Sequence, residues 1–262
     1  MLNIIKASLY KLLKDRPFKV TMIVGASLAI LFTLVYCFLI PELGSGYFML
    51  MSSSSPTSNF GIAVPINLVV FIIGEFNYGT IRNKIIAGNK KINIYIALFI
   101  MGIIFSLSLM FVYIGLSTLL GTIIRGFVPE GMTVTVQEVL ATVGYTAVIY
   151  ITLSALSVLA ATSIRHIGGA ITVTILLVFA GFIAGLIGFI NIEFSDNPVI
   201  PDYYYIINPL FITSITTQSF GMFSTMIPDL GKAMLWSILS NVIYLVIFLG
   251  LGIYIFNYRD VK

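Results

Sequence analysis

Long apolar runs dominate the chain, separated by short polar stretches. They lie at about Phe18–Ile40, Asn59–Tyr78, Ile92–Ile124, Val139–Ser163, Gly168–Ile190 and Ala233–Phe256. A helix needs about 20 predominantly apolar residues to cross a bilayer. The pattern therefore predicts an all-α polytopic integral membrane protein with six transmembrane helices, a single transmembrane domain over residues 1–262. The second run is short and carries Pro65, which predicts a kinked or tilted span whose freed backbone groups are satisfied by neighbours. The third is overlong. At about 1.5 Å per residue it reaches about 50 Å, so part of it is expected to project beyond the hydrocarbon. Asn208–Ile227 is also apolar, but it is rich in Ser and Thr and bracketed by Pro209 and Pro228. It reads as a re-entrant or interfacial element of an outer loop over 191–232 rather than a seventh crossing.

Ahead of the first span, Leu2, Ile5, Leu9, Leu12 and Leu13 fall on one helical face, and Asn3, Ser8, Lys11, Lys14 and Asp15 on the other. This predicts an interfacial amphipathic helix over 1–17, ended by Pro17 and fraying near Arg16, which falls on the apolar face. Lys11, Lys14 and Arg16 are its candidate contacts to lipid phosphates or a docked partner. The plainer reading is an orientation anchor.

Composition agrees with the span pattern. Hydrophobic residues make up 59% and charged residues 9%, with mean hydropathy +1.07, against roughly 25% charged in a soluble domain. The net charge of +4 is then a matter of placement rather than a nucleic-acid signal. Lys6, Lys11, Lys14, Arg16, Lys19, Arg82, Lys84, Lys90, Lys91, Arg165, Arg259 and Lys262 collect on one side, against Arg125 and Lys232 on the other. By the positive-inside rule both termini are expected in the cytosol. The first run is too long for the apolar core of a signal peptide. Cys37, the only cysteine, sits inside an apolar run, so no disulfide is expected.

Catalytic signatures are absent. The chain has no G-x-x-x-x-G-K-[ST] loop, no H-E-x-x-H and no G-x-S-x-G, and His166 is its only histidine. Arg165-His166 reads as a solvated turn. The span interiors hold no Asp, Glu, Lys or Arg; Glu75 falls at the cytosolic end of the second span and Glu138 at the outer start of the fourth. Ion-coupled carriers usually hold a charge at membrane depth, so a proton-driven carrier and a voltage sensor are disfavoured. No catalysis, cofactor or metal site is expected of the chain itself.

The stretch Glu75-Phe-Asn-Tyr-Gly79-Thr80-Ile81-Arg82-Asn-Lys84, running on to Lys91, joins the second span to a basic loop. It resembles the cytosolic coupling loop of ABC-2 type permeases, in which a glutamate and then Gly-Thr-hydrophobic open a short helix after the second span. Six spans, cytosolic ends, an interfacial N-terminal helix and Asn208-Pro209 in a long last outer loop extend the resemblance over nearly the whole chain. The chain departs from it at Tyr95–Leu98, where many members have a basic residue. The resemblance implies a coupling loop over 75–91 and a six-helix core over 18–256. Glu75, Gly79, Thr80, Ile81, Arg82, Lys84 and Ile85 would then act in ATPase coupling. Gly79 would permit the turn and Thr80 would cap the helix. Ile81, Ile85 and Ile86 would seat in a groove of a cytosolic ATPase, with Arg82 and Lys84 at its rim or paired with Glu75. If coupling plays no part, Glu75 simply caps a helix or pairs with Arg82.

The partners so implied are two cytosolic ABC ATPase subunits carrying ATP and Mg, a second permease copy or homologue, and membrane lipid. ATP hydrolysis would be expected only in that complex. Ser106, Ser108, Thr152 and Ser154 are candidate pathway residues, and the cargo an amphipathic peptide, toxin or drug, as in phenol-soluble modulin exporters. The location is the plasma membrane, as in the bacterial cytoplasmic membrane. A non-transporting scaffold or sensor subunit and a stand-alone channel are the alternatives. Gly181-x-x-x-Gly185 with Gly188 is expected to pack helices closely, Tyr203–Tyr205 and Trp236 to sit in an aromatic belt, and Ser52–Ser55 with Pro56 to form a flexible loop.

Overall fold

The computed structural model describes residues 2–54, 63–129, 133–164, 166–179 and 230–258. They form helices α1 (Leu2–Lys14), α2 (Arg16–Leu39), α3 (Gly46–Ser54), α4 (Ala63–Asn77), α5 (Thr80–Ile86), α6 (Lys91–Arg125), α7 (Val136–Ser163), α8 (Ile167–Phe179) and α9 (Leu230–Tyr258). A 3₁₀ turn at Pro41–Leu43 follows α2. The expectations for Arg165, Gly181–Gly188, Tyr203–Tyr205, Asn208–Ile227, Arg259 and Lys262 lie outside the described residues.

Among the described residues, four helices are long and apolar enough to cross a membrane: α2, α6, α7 and Ile238–Tyr258 of α9. The bent pair α4–α5 makes a fifth if it is counted as one span. Over its described residues the chain is thus all-helical, with four to five candidate membrane-crossing helices. Two are central and two peripheral. In the most apolar stretch of α6 and of α7, 56% of residues are buried, against 22% in α2 and 17% in α9.

The overlong third run is one unbroken helix. Its 35 residues reach about 52 Å at 1.5 Å each, and a basic residue at either end reaches a neighbouring helix. Lys91 Nζ donates to the Asn257 carbonyl of α9 at 2.9 Å. Arg125 donates from Nη2 and Nε to the Cys37 carbonyl of α2 at 2.8 and 3.3 Å. Both acceptors lie in the last turn of their helix, where carbonyls lack intrahelical donors and partial negative charge collects. Arg125 is thus a structural clamp as well as a flanking charge.

Small residues let α2 approach α6. The buried face of α2 is Phe18, Thr21, Gly25, Ala29, Thr33 and Cys37, an i, i+4 stripe of small side chains of the kind that brings membrane helices together. Phe18 fills its wide end against Phe105, ring centroids 5.4 Å apart.

Two expectations change. Of the loop expected at Ser52–Ser55 with Pro56, Ser52–Ser54 belong to the buried helix α3, where Ser53 Oγ donates to the Met49 carbonyl at 2.6 Å; Ser55 and Pro56 lie outside the described residues. The N–H groups of Gly46 and Tyr47 opening α3 donate to the Gly126 and Phe127 carbonyls, each at 2.9 Å. A side chain on Gly121 would strike Met49 Cγ at 2.7 Å, so α3 and α6 touch nearly backbone to backbone. Pro65 is the third residue of the described part of α4, and the residues before Ala63 lie outside the described residues. Pro17 does not end the first helix. The break is at Asp15, in extended conformation (φ −68°, ψ 132°), and Pro17 sits in the first turn of α2.

Gly252 of α9 packs directly under the ring of Tyr95, which is fully buried and stacks on Phe256 with centroids 5.9 Å apart. A Cβ there would collide with the Tyr95 hydroxyl. Gly252→Ala should destabilise the protein by about 1–3 kcal/mol, and adding Tyr95→Phe should recover part of the loss. Denaturant unfolding in mild detergent of the two variants checks this.

Candidate functional site

At the end of the bundle that carries α1, the distant helix α1 and the neighbouring helices α4 and α5 converge on one carboxylate. Glu75, in the last turn of α4, is 2% exposed. Its Oε1 pairs with Lys11 Nζ of α1, and its Oε2 pairs with Lys84 Nζ of α5 at 3.1 Å. Each lysine makes a further bond that crosses between α1 and α5: Lys84 Nζ to Ser8 Oγ, and Lys11 Nζ to Thr80 Oγ1, both at 3.1 Å. Lys11 also lies 5.8 Å from the centre of the Tyr78 ring.

The local sequence explains how α5 is placed. Gly79 stands at φ 67°, in the left-handed region. Its N–H bonds back to the Phe76 carbonyl at 3.0 Å, closing α4, and its carbonyl accepts from Asn83 N–H at 2.9 Å, opening α5. One glycine thus ends one helix and caps the next, giving a bend of 55°. Gly88, at φ 84°, ends α5 in the same way. A left-handed backbone costs about 1–2 kcal/mol for other residues. A Cβ added to either glycine would meet no atom within 4 Å, so conformation rather than space demands glycine.

Several site residues take roles other than those expected. The cap is Gly79, and Thr80 is the first helical residue; its hydroxyl accepts from Lys11 instead of capping. Of the two partners expected for Glu75, Lys84 pairs with it and Arg82 does not; Lys11 is the second partner. Ile81 is fully buried within this chain and cannot seat in a partner, because the face holding it is the one α5 turns to its own bundle. Ile85 is half-buried against the same core. The outward face is Arg82, Asn83 and Ile86, the last 73% exposed, beside exposed Tyr78.

The α1 surface is rotated from its expected setting. Ile4, Ser8 and Leu12 are buried, while Leu13 is 60% exposed beside Tyr10. Bonding to Lys84 makes the polar Ser8 an inward residue. Lys14 and Arg16 are exposed, and Lys14 Nζ lies 4.4 Å from the centre of the Tyr10 ring. Burial pushes the Asp15 carboxyl above its ordinary value, and Glu75 adds to the rise; Lys11 and the Arg16 amide oppose it.

Three of the four candidate pathway hydroxyls bond across helix seams. Ser106 and Ser154 are fully buried and share a hydrogen bond of 2.6 Å between α6 and α7. Thr152 bonds the Val148 carbonyl at 3.0 Å and the Asn241 carbonyl of α9 at 3.4 Å. Ser108 donates to the Ile104 carbonyl of its own helix at 2.6 Å. A hydroxyl bonded across a seam lines no passage through it, so Ser106, Ser154 and Thr152 are packing residues in this fold.

Ser8 is the site residue that sequence reasoning missed. Its signal was present: Ile4, Ser8 and Leu12 recur at i+4, a second stripe beside the leucines. Compared with known proteins, the chain matches no family model and no curated protein.

Breaking a buried ion pair by removing one partner costs about 3–5 kcal/mol. Glu75→Gln strands two lysines and should approach that range. Lys11→Gln should cost less, because Lys11 is 40% exposed and its charge is screened. Arg82→Gln should stay within about 0.5 kcal/mol. Chemical unfolding of the three variants in one detergent gives the order.

Proposed function

We propose that this chain is the membrane subunit of an ATP-driven exporter of the ABC-2 type, and that α5 is its coupling helix. The observation that carries the reading is the junction at Glu75. A helix meant to transmit force needs a free face for the motor and a second face fixed to what must move. In α5 the free face is Arg82, Asn83 and Ile86, and the fixed face is Ile81 with Lys84. Lys84 reaches Glu75 of α4 and Ser8 of α1. Separating these helices would leave charge buried and unpaired, so a push on α5 carries α4 and α1 with it.

In this reading the α1 end faces the cytosol, where Lys6, Lys11, Lys14, Lys19, Lys84, Lys90 and Lys91 gather. Six spans with both ends inside would complete the topology in a bacterial plasma membrane. Two cytosolic ATPase subunits, carrying ATP and Mg, would dock on Arg82 and Ile86 of two permease copies. α4 packs on α7, so movement of α4 would shift the central helices and open the seam between copies alternately to either side. Because Ser106, Thr152 and Ser154 are occupied within the bundle, the passage would lie at that seam. Its apolar walls suit an amphipathic peptide, toxin or drug.

The clean test uses residues that the bundle does not need. Affinity purification from the native membrane should retain an ABC ATPase in stoichiometric amount, identified by mass spectrometry. Ile86→Asp and Arg82→Glu should lose at least about tenfold of that retention while unfolding as the parent does. Equal retention by both variants would overturn the assignment of α5. A purified parent that holds no ATPase, yet conducts ions alone in a bilayer, would establish the channel instead.

A further inference from the structure

We propose that a cavity beside the Glu75 junction binds the headgroup of a zwitterionic membrane phospholipid bearing a primary ammonium, the phosphoethanolamine type. The cavity, ≈ 460 Å³, lies between the start of α2 and the last turns of α4. Its charged wall includes Asp15 and Arg16; its apolar wall is Pro17, Val70, Phe71 and Ile167.

The charges on that wall are unequal in their engagement. Glu75 and Lys11 also border the cavity, but they neutralise each other with the help of Lys84. Asp15 and Arg16 have no ion-pair partner among the described residues. Asp15 occupies the N-cap position of α2 yet makes no capping bond; with Pro17 at the second helical position, one of the amides an N-cap carboxylate usually accepts from is missing. Its carboxyl is raised chiefly by burial, against the opposing pull of Lys11, and the Lys11 ammonium is itself engaged by Glu75. One cation and one anion therefore sit side by side on this wall, neither in an ion pair among the described residues.

The level of the cavity selects the ligand. Arg16 begins a helix that is apolar from Val20 to Leu39 and exposes Val20, Ile23 and Val24 outward, so the cavity lies where hydrocarbon gives way to headgroups. There a phosphate meets Arg16, an ammonium meets Asp15, and acyl chains continue along Val70 and Phe71. An anionic headgroup satisfies Arg16 but is repelled by Asp15. A choline group carries charge but no N–H to donate. Only a primary ammonium with a phosphate engages both residues with charge-assisted hydrogen bonds.

Native mass spectrometry of the full chain in mild detergent, titrated with phosphatidylethanolamine, phosphatidylcholine or phosphatidylglycerol, tests this. One charge-assisted bond is worth about tenfold in affinity. Phosphatidylethanolamine retention should fall about tenfold in Arg16→Gln and again in Asp15→Asn. Phosphatidylglycerol retention should fall only in Arg16→Gln and rise in Asp15→Asn. Lys14→Gln, an exposed neighbour outside the cavity, should change neither, and all three variants should unfold as the parent does. Equal phosphatidylethanolamine retention in parent and cavity variants overturns the proposal, and so does a gain in Asp15→Asn, which would mean simple repulsion of an anion. Competition by free phosphoethanolamine as effective as the lipid would also overturn it, in favour of a soluble ligand. No ATPase enters the measurement, so its result stands apart from the role of α5.

Discussion

Glu75 carries a negative charge in a place that is 2% exposed, and that single fact orders the end of the bundle around it. An ionised carboxylate removed from water loses several kcal/mol of solvation unless cations and hydrogen bonds replace the water. The cations come from Lys11 of α1 and Lys84 of α5, two helices far apart in the chain. Each lysine then donates a second hydrogen to a hydroxyl of the opposite helix, Lys84 to Ser8 and Lys11 to Thr80. Every element in the junction is held by two others. The consequence is rigidity, since no helix can leave without stranding a charge.

Away from that junction the bundle is assembled by shape. Lipid tails are as apolar as leucine, so water drives little association between helices within the membrane, and close packing takes its place. The structure supplies it at three seams: the Thr21–Cys37 stripe facing α6, Gly121 under α3, and Gly252 under Tyr95. Side-chain hydroxyls contribute across another, where Ser106 and Ser154 meet between α6 and α7. Hydrogen bonds of this kind fix register more than they add stability. The two clamps of α6, Lys91 on α9 and Arg125 on α2, then tie the ends where helix carbonyls run out of donors.

Span-scale features were legible in the sequence because they are periodic and local. The length of α6, the turn at Gly79 and the basic α1 end each follow from composition within one window. A Thr135-x-x-Glu138 capping box opens α7, so the helix starts three residues before the apolar run, a start that the run alone did not reveal. Contacts between windows were not legible. Nothing near Ser8 announces that Lys84 will reach it, and an amphipathic helix with two competing stripes cannot declare which one faces protein. The same holds for Ser106 and Thr152: a hydroxyl in an apolar run looks alike whether it lines a passage or closes a seam.

The division of labour within α5 follows from its length. Seven residues make about two turns, enough for one face inward and one outward and for nothing else. Isolated helices so short are not stable in water, so α5 exists because Gly79 and Gly88 delimit it and because Ile81 and Lys84 anchor it. The helix cannot melt without breaking the Lys84–Glu75 pair, and that pair is protected by the same burial that makes it costly. Ile81, Lys84 and Glu75 are constrained by the bundle itself, whereas exposed Arg82 and Ile86 are not. If α5 is the coupling helix proposed above, recognition and transmission would fall on opposite faces of a single short helix.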